Sequence, residues 1–141
     1  MPEMTRTWLI NGPMTTAPLA FSIREPPLTG DNLGLKTWGT AFTMAKKLED
    51  LGTMYFSHLF NERALSKRVL ELGSGTGLVG IAAAAIWSIP VLLTDLPEIE
   101  ANLCYNVLQN TQVVEAQGGH IDSMVLDWKD PSGLAGQEFE V

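Results

Sequence analysis

The chain has 141 residues, with 9 Lys and Arg against 16 Asp and Glu, so its formal net charge is −7. This length fits one small domain or part of a larger one, and a hydrophobic share of 45% excludes intrinsic disorder as the main state. The acidic balance argues against nucleic acid or an anionic membrane as the primary partner, because the mean field would repel both. The single cysteine, Cys104, excludes a disulfide framework and a multi-cysteine zinc site. We therefore expect a cytoplasmic protein, with the nucleus as the alternative.

The first part of the chain predicts a hairpin followed by helices. Five of the eight prolines fall in the first thirty residues, so no long helix can form there. Residues 7–10 and 19–23 predict two short strands, with Asn11-Gly12 as the turn signal between them. An apolar stripe from Ala41 to Leu51 predicts an amphipathic helix that ends near Gly52. Residues 55–65 predict a second helical stretch.

The middle of the chain predicts alternating strands and helices. Residues 73–94 lack any charge over 22 positions, which is long enough for a membrane span, but the glycines and Pro90 fit a buried strand–turn–helix–strand unit better. Such a unit should have parallel strands and a right-handed crossover. The predicted elements are a strand at 68–72, a turn at 73–77, a helix at 78–87, a strand at 91–94, a helix from 97 to about 109, a strand at 121–126 and the start of a fourth strand at 139–141.

The glycine turn is the first candidate binding feature. Gly73, Gly75 and Gly77 permit positive φ and the close approach of a ligand beside a helix N-terminus. From Gly75 the sequence satisfies G-x-G-x-x-G, ending at Gly80, and Asp95 follows Gly75 by 20 residues. An acid at that position binds the ribose hydroxyls of a dinucleotide or of an adenosyl ligand alike. A turn that is tight for purely structural reasons is the alternative.

Glu71 helps to choose between these ligands. It lies two residues before Gly73, where a pyrophosphate gains nothing from a carboxylate, because like charges repel. S-adenosylmethionine carries an ammonium and a sulfonium group and could use such a carboxylate. The residue therefore favours S-adenosylmethionine over a dinucleotide. A strand-end carboxylate that caps loop amides is the alternative interpretation.

Four segments carry a family resemblance. Val-Leu-Glu-Leu-Gly-Ser-Gly-Thr-Gly-Leu-Val-Gly at 69–80 resembles motif I of class I S-adenosylmethionine-dependent methyltransferases, and Leu-Thr-Asp-Leu-Pro at 93–97 resembles the next motif. Leu-Gly-Leu-Lys-Thr-Trp-Gly-Thr-Ala at 33–41 and Val-Leu-Asp-Trp at 125–128 resemble the family 16 protein-lysine methyltransferases in particular. Asn106 and Asn110 fall where members of that family carry Asn. The resemblance covers about residues 21–129.

The resemblance implies an α/β, Rossmann-like class I methyltransferase fold, with a mostly parallel sheet flanked by helices. Such a sheet normally has seven strands, and three with the start of a fourth are expected here. Residues 1–35 would form an N-terminal extension with the hairpin. Residues 36–141 would form the cofactor-binding part of a methyltransferase domain that is truncated before the family's acidic-x-x-aromatic motif. We accordingly name no catalytic residue and expect no metal.

The resemblance also implies cofactor-binding positions for S-adenosylmethionine. Trp38 and Trp128, each taken alone, are more often core residues than cofactor-binding residues, and Asp127 could be a loop cap. The helically spaced Asn102, Asn106 and Asn110 could cap neighbouring loops. By the resemblance, Glu71, Gly73 and Gly75 of the glycine turn would line the methionine end of the cofactor, and Asp95 would hold its ribose. Leu96 and Trp128 would flank the adenine, and Asp127 would approach the adenine amine. Trp38 would close the pocket.

The function that these observations predict is methyl transfer to a lysine side chain of a protein. A small-molecule N- or O-methyltransferase is one alternative, and a truncated, non-catalytic paralogue that binds a cofactor or a partner is another. A nicotinamide-dinucleotide oxidoreductase is disfavoured by Glu71 and by the lack of an obvious catalytic Ser/Tyr/Lys set. The expected partner is a lysine-containing protein substrate, and the sequence leaves the oligomeric state open.

Overall fold

A computed structural model describes residues 2–12, 17–27, 33–60, 68–137 and 139 of the chain. It is an α/β structure with one antiparallel hairpin and one parallel sheet. The strands are β1 (Met4–Ile10), β2 (Leu19–Glu25), β3 (Val69–Leu72), β4 (Pro90–Asp95) and β5 (His120–Val125). The helices are α1 (Gly39–Ala45), α2 (Leu48–Met54), α3 (Leu78–Trp87) and α4 (Pro97–Ala116), with 3₁₀ turns at Leu33–Leu35, Ser57–Leu59 and Pro131–Leu134.

The parallel sheet has the order β3-β4-β5, which confirms the predicted strands and their direction. Val69 pairs with Val91, and Val91 pairs with Ile121. Helix α3 connects β3 to β4, and α4 connects β4 to β5, so each crossover carries one helix. The middle strand is buried because helices cover it, and this is why its apolar run shows no alternation. The carboxyl ends of all three strands meet at one edge of the sheet.

The outer side of β3 carries a single described bridge. Arg68 pairs in parallel with Phe139, and the Arg68 guanidinium lies 5.5 Å from the centre of the Phe139 ring. This contact lies beside β3, the first strand of the parallel sheet, and Phe139 is where the fourth strand of that sheet was predicted to begin. Residues 140 and 141, the rest of that prediction, lie outside the described residues.

The helices differ from their predicted bounds in three places. The helix predicted up to Gly52 is two short helices, because Lys47 donates its backbone N–H to Met44, three residues back, in a tightened turn. Such a turn aligns positions i and i+3, which lets Ala45 and Leu48 both be fully buried. Helix α4 continues to Ala116, past the predicted end near 109, with Val114 buried. The predicted stretch at 55–65 shows only the 3₁₀ turn at Ser57–Leu59 in its described part, and residues 61–67 lie outside the described residues.

The predicted hairpin is confirmed, but its connection is not a two-residue turn at Asn11-Gly12. Strands β1 and β2 pair from Met4↔Glu25 to Ile10↔Leu19, so residues 11–18 connect them. Along β2 the buried positions alternate, and the apolar side chains of Leu19, Phe21 and Ile23 point into the core. The hairpin thus covers the core with one face of its second strand.

A row of asparagines attaches β2 to α4. Asn110 accepts a hydrogen bond from the N–H of Ser22 at 2.9 Å and donates to its carbonyl at 2.8 Å. Asn106 does the same with Arg24, at 2.9 and 3.1 Å, and Asn102 donates to that carbonyl at 3.0 Å. Four helical residues rise about 6 Å and two strand residues rise about 6.6 Å, so the two elements stay in step. The row therefore bonds a strand edge, and Asn106 also caps the glycine turn, since it donates to the carbonyl of Thr76 at 2.9 Å.

Helix α3 forms the centre of the hydrophobic core. Eight of its ten residues are buried, and four consecutive alanines let neighbouring elements approach closely. It contacts α1, α2, α4 and β4. Among the described residues, no helix is long and apolar enough to cross a membrane. The uncharged stretch at 73–94 is the predicted turn, helix and buried strand. The largest fully buried apolar side chains are Phe21, Ile10, Ile23, Leu48, Leu78, Ile81, Leu93, Leu103, Val91 and Val114.

Candidate functional site

The glycine turn has the backbone that its sequence predicts. Gly73, Gly75 and Gly77 have φ values of +66°, +59° and +95°, a region that side chains with a Cβ rarely adopt. The turn is held by the N–H of Ser74, which donates to the carbonyl of Thr94 at 2.9 Å, and by that of Gly77, which donates back to Ser74. It therefore joins β3 to the N-terminus of α3 in a fixed shape, beside the end of β4.

A cavity of about 330 Å³ opens at this edge of the sheet. Its walls are the glycine turn, the end of β3, the first turn of α3 and the segment at 33–41. This position, outside the carboxyl ends of parallel strands, is where open α/β sheets bind ligands. Five of the eight predicted site residues line it, namely Trp38, Glu71, Gly73, Gly75 and Asp95.

Glu71 places a buried carboxylate on the cavity wall. Its Oε2 has no hydrogen-bond partner among the described atoms. Burial raises the pKa of Glu71 to about 7, the Asp95 carboxylate adds to the rise, and the Ser74 hydroxyl and the Gly80 amide oppose it. A Cβ at Gly80 would collide with Oε2, so the glycine one turn into α3 makes room for the carboxylate. The Ser74 hydroxyl and the Gly80 amide thus satisfy this carboxylate only in part, since Oε2 has no partner among the described atoms.

Asp95 ties the end of β4 to the glycine turn. Its Oδ2 accepts a hydrogen bond from the N–H of Gly75 at 2.7 Å, and its Oδ1 accepts one from the N–H of Leu96 at 2.7 Å. Each carboxylate oxygen can accept a further hydrogen bond, so the group can still meet ligand hydroxyls. The backbone amides fix its orientation toward the cavity, which it lines.

The other three predicted residues lie beside the cavity and do not line it. Leu96 follows β4 and is 39% exposed, and Trp128 follows β5 and is 67% exposed. The ring of Trp128 lies close to the glycine turn: a Cβ added to Gly73 would be 3.5 Å from the Cζ2 atom of the ring. Trp38 is 49% exposed. The alternative that Trp38 and Trp128 are core residues is therefore wrong. Asp127 does cap its loop, since its Oδ1 accepts from the N–H of Lys129 at 2.9 Å.

Several lining residues were not singled out from the sequence. The hydroxyls of Thr37 and Thr76 lie 2.6 Å apart and join the segment at 33–41 to the glycine turn. The N–H of Thr37 donates to the Glu25 carboxylate at 3.1 Å, and Lys36 also lines the cavity. The available signal was the position of Lys36 and Thr37 inside the segment that carries Trp38, and of Thr76 inside the glycine turn. Their contacts with distant parts of the chain had no local signal.

The charges of the cavity decide which ligands fit it. Two carboxylates, one of them with an unpartnered buried oxygen, outnumber the single ammonium of Lys36, so the wall repels a pyrophosphate and attracts a cationic group. The ammonium and sulfonium of S-adenosylmethionine therefore suit this wall, and Asp95 remains able to accept from its ribose. Among the described residues, no group of three or more His, Cys, Asp or Glu side chains could hold a metal ion.

The parallel sheet, its flanking helices and the cavity at the carboxyl ends of its strands are consistent with a partial Rossmann-like class I methyltransferase fold. The lysine methyltransferase family model matches residues 20–140. The chain therefore belongs to the family 16 lysine methyltransferases, which confirms the family resemblance seen in the sequence.

The named relatives are methyltransferases, two of them named for lysine and one for arginine. The chain is 41% identical over 112 residues to protein-lysine N-methyltransferase rrg1 of Schizosaccharomyces pombe, covering 77% of this chain and 33% of that protein. It is 37% identical over 141 residues to protein-lysine N-methyltransferase EFM2 of Saccharomyces cerevisiae, covering 92% and 32%. It is also 31% identical over 117 residues to histone-arginine methyltransferase METTL23 of Rattus norvegicus, covering 77% and 47%. The chain spans about a third of the length of the two yeast relatives.

Proposed function

We propose that this chain is the cofactor-binding part of an S-adenosylmethionine-dependent methyltransferase that modifies lysine side chains of a protein. The observation that carries the proposal is the Glu71 carboxylate, whose buried Oε2 has no partner among the described atoms, on a glycine-turn cavity that also presents Asp95. This donor set suits a ligand with cationic groups and ribose hydroxyls. Residues 36–141 would form the cofactor-binding unit, and residues 1–35 would pack on it through the asparagine row.

We propose the predicted roles for seven of the eight site residues, whereas Asp127 caps its own loop through Oδ1. Glu71 and Gly73 would hold the methionine end, Asp95 would accept from the ribose, and Trp128 with Leu96 would flank the adenine. When bound, the cofactor supplies a sulfonium methyl group to an amine. The chain's own residues would bind and orient it, and the half-exposed Trp38 would keep water from one side of the cavity.

Lysine is the proposed acceptor because the more similar relatives are named for it. The two yeast proteins, at 41% and 37% identity, are named protein-lysine N-methyltransferases, whereas the rat protein named for arginine is 31% identical. The net charge of −7 would favour a basic protein substrate. We propose the cytoplasm or nucleus as the compartment, where the single Cys104 would stay reduced.

The test is a transfer assay with S-adenosylmethionine that carries a deuterated methyl group. The chain, assayed within the complete methyltransferase of which we propose it is the cofactor-binding part, is incubated with a mixture of cellular proteins and metabolites, and mass spectrometry locates the label. We expect labelled lysine residues in proteins, and no label with an Asp95→Ala variant that remains folded. Label on arginine alone or on small molecules alone would contradict the proposed acceptor. A folded chain that binds S-adenosylmethionine and transfers no methyl group would instead support the non-catalytic paralogue.

A further inference from the structure

The only lysine that lines the cavity, within the described part of the chain, is Lys36. It shares the wall with Glu71 and Asp95, yet no described carboxylate lies within 4.0 Å of its ammonium group. Its ammonium lies 5.1 Å from the centre of the Trp38 ring. A cation held at the rim of a cavity beside two carboxylates, without an ion pair to either, is free to meet an anionic group of a ligand.

The backbone that carries Lys36 is held in place from both sides. Its own N–H donates to the carbonyl of Leu33 at 3.3 Å, and the Trp38 indole N–H donates to the same carbonyl at 3.2 Å. Between them, Thr37 is buried and bonded to Thr76 of the glycine turn. The backbone at Lys36 is therefore held by the same turn that shapes the cavity, which lowers the ordering cost of binding.

The three charges of the cavity are complementary to the three charges of the cofactor's amino-acid tail. The wall presents two carboxylates, on Glu71 and Asp95, and one ammonium, on Lys36. S-adenosylmethionine presents two cations, its sulfonium and ammonium groups, and one carboxylate. Opposite charges on the two sides favour the pairing, whereas a tail without its carboxylate would leave Lys36 facing cations.

We infer that Lys36 recognises the carboxylate of the cofactor's methionine tail and so makes the cavity select an amino-acid ligand over a decarboxylated one. The inference rests on the proposed function, since it needs an adenosyl-sulfonium ligand in this cavity. Lys36 would act in binding specificity, while Glu71 would favour the cationic groups. The Trp38 ring would hold the Lys36 ammonium at the rim by a cation–π contact.

The test is a calorimetric titration of the full 141-residue chain with three ligands: S-adenosylmethionine, S-adenosylhomocysteine and decarboxylated S-adenosylmethionine. For Lys36→Met, which keeps the aliphatic stem, we expect about five- to tenfold weaker binding of the first two ligands, which carry the carboxylate. Binding of the decarboxylated ligand should stay unchanged or become a few-fold tighter, because a repelling cation is gone. Lys36→Arg should keep the wild-type preference.

Lys46→Met is the matched control. The Lys46 ammonium also lies over an aromatic ring, 4.6 Å from the centre of Phe42, but this lysine does not line the cavity. It should leave all three affinities unchanged. Equal loss of all three ligands in Lys36→Met, or no loss of any, would overturn the role of Lys36 while leaving the cofactor site intact. A folded wild-type chain that binds none of the ligands would overturn the proposed function itself.

Discussion

The asparagine row on α4 and the Glu71 carboxylate are both buried polar groups, but they differ in how many of their atoms have hydrogen-bond partners. The side chains of Asn106 and Asn110 meet backbone partners on β2 with both their oxygen and their nitrogen. The Glu71 carboxylate, buried at the other side of the glycine turn, keeps one oxygen without a partner. A buried polar group without a partner is costly, so its presence at a cavity indicates a ligand site, whereas the satisfied row indicates a structural joint.

The largest predicted effect comes from breaking the satisfied set at Asn106. This side chain bonds both backbone groups of Arg24 and also donates to the carbonyl of Thr76 at 2.9 Å. Asn106→Ala removes these bonds and leaves buried groups unpaired, so we expect a loss of about 3 to 5 kcal/mol in the free energy of unfolding. Urea unfolding measures it. Gln109→Ala, an exposed amide on the same helix, should change stability by less than about 0.5 kcal/mol. Equal effects of the two would contradict the structural role.

Removing the charge at Glu71 should raise the free energy of unfolding, whereas Asn106→Ala should lower it. Burial raises the pKa of Glu71 from 4.5, the value of a free glutamate, to about 7 in the folded chain. Between pH 4.5 and pH 7 the carboxyl group is therefore protonated in the folded state and ionised in the unfolded state. Stability should therefore fall as the pH rises from 4.5 to 7, by about 3 kcal/mol in total. Glu71→Gln should not show this fall, and above pH 7 it should be more stable than the wild type by up to that amount.

Urea unfolding at pH 5 and pH 8 tests the sign. Glu3→Gln, an exposed carboxyl outside the strands and helices, is the control and should follow the wild type at both values. A Glu71→Gln variant that is less stable than the wild type at pH 8 would show that the carboxylate is satisfied by the loop after all.

Gly80 sharpens the comparison, because it gives the unpartnered carboxylate its space. A Cβ there would collide with Glu71 Oε2 and lie 2.8 Å from Leu93 Cδ2. We expect Gly80→Ala to lower the free energy of unfolding by about 2 kcal/mol through overpacking. The cost should shrink in a Glu71→Ala background, where one collision is gone. A double-mutant cycle measures this coupling, and strict additivity would show that the two positions do not meet.

The smallest effect on stability is expected at Trp128. Its ring is 67% exposed, so Trp128→Ala should change the free energy of unfolding by less than about 0.5 kcal/mol. If the ring flanks adenine as proposed, the same variant should weaken S-adenosylmethionine binding by about 1 kcal/mol, as base–aromatic stacking does. Calorimetry and urea unfolding on one preparation separate the two. A large loss of stability with unchanged binding would make Trp128 a packing residue.

The sequence was most informative where structure is local. The strand–turn–helix unit around Gly73 and Gly77 was predicted because positive φ and apolar runs leave direct marks on nearby residues. The burial of Glu71 was not visible from its neighbours, since it depends on Gly80 and on the approach of β4. Only the family resemblance connected Trp38 to this edge of the sheet, because periodicity alone allows a core position.

Long-range partners were the part that the sequence did not reveal. The spacing of Asn102, Asn106 and Asn110 marks one helix face, but their partner strand lies about eighty residues earlier. The sequence also did not predict the break between α1 and α2, because the apolar stripe continues across Lys46 and Lys47. The backbone tightens there, and Ala45 and Leu48 on the two sides of the turn are both buried. Tertiary packing decides both features, and neither leaves a local pattern.

The most direct test of the central claim is a calorimetric titration of the chain with S-adenosylmethionine, with nicotinamide adenine dinucleotide as the control ligand. The account predicts saturable binding of S-adenosylmethionine and none of the dinucleotide. Binding should tighten as the pH rises through 7, where Glu71 becomes charged, and this pH dependence should be lost in Glu71→Gln. Binding of the dinucleotide in preference, or no binding by a folded chain, would contradict the claim that the unpartnered carboxylate marks the cofactor site.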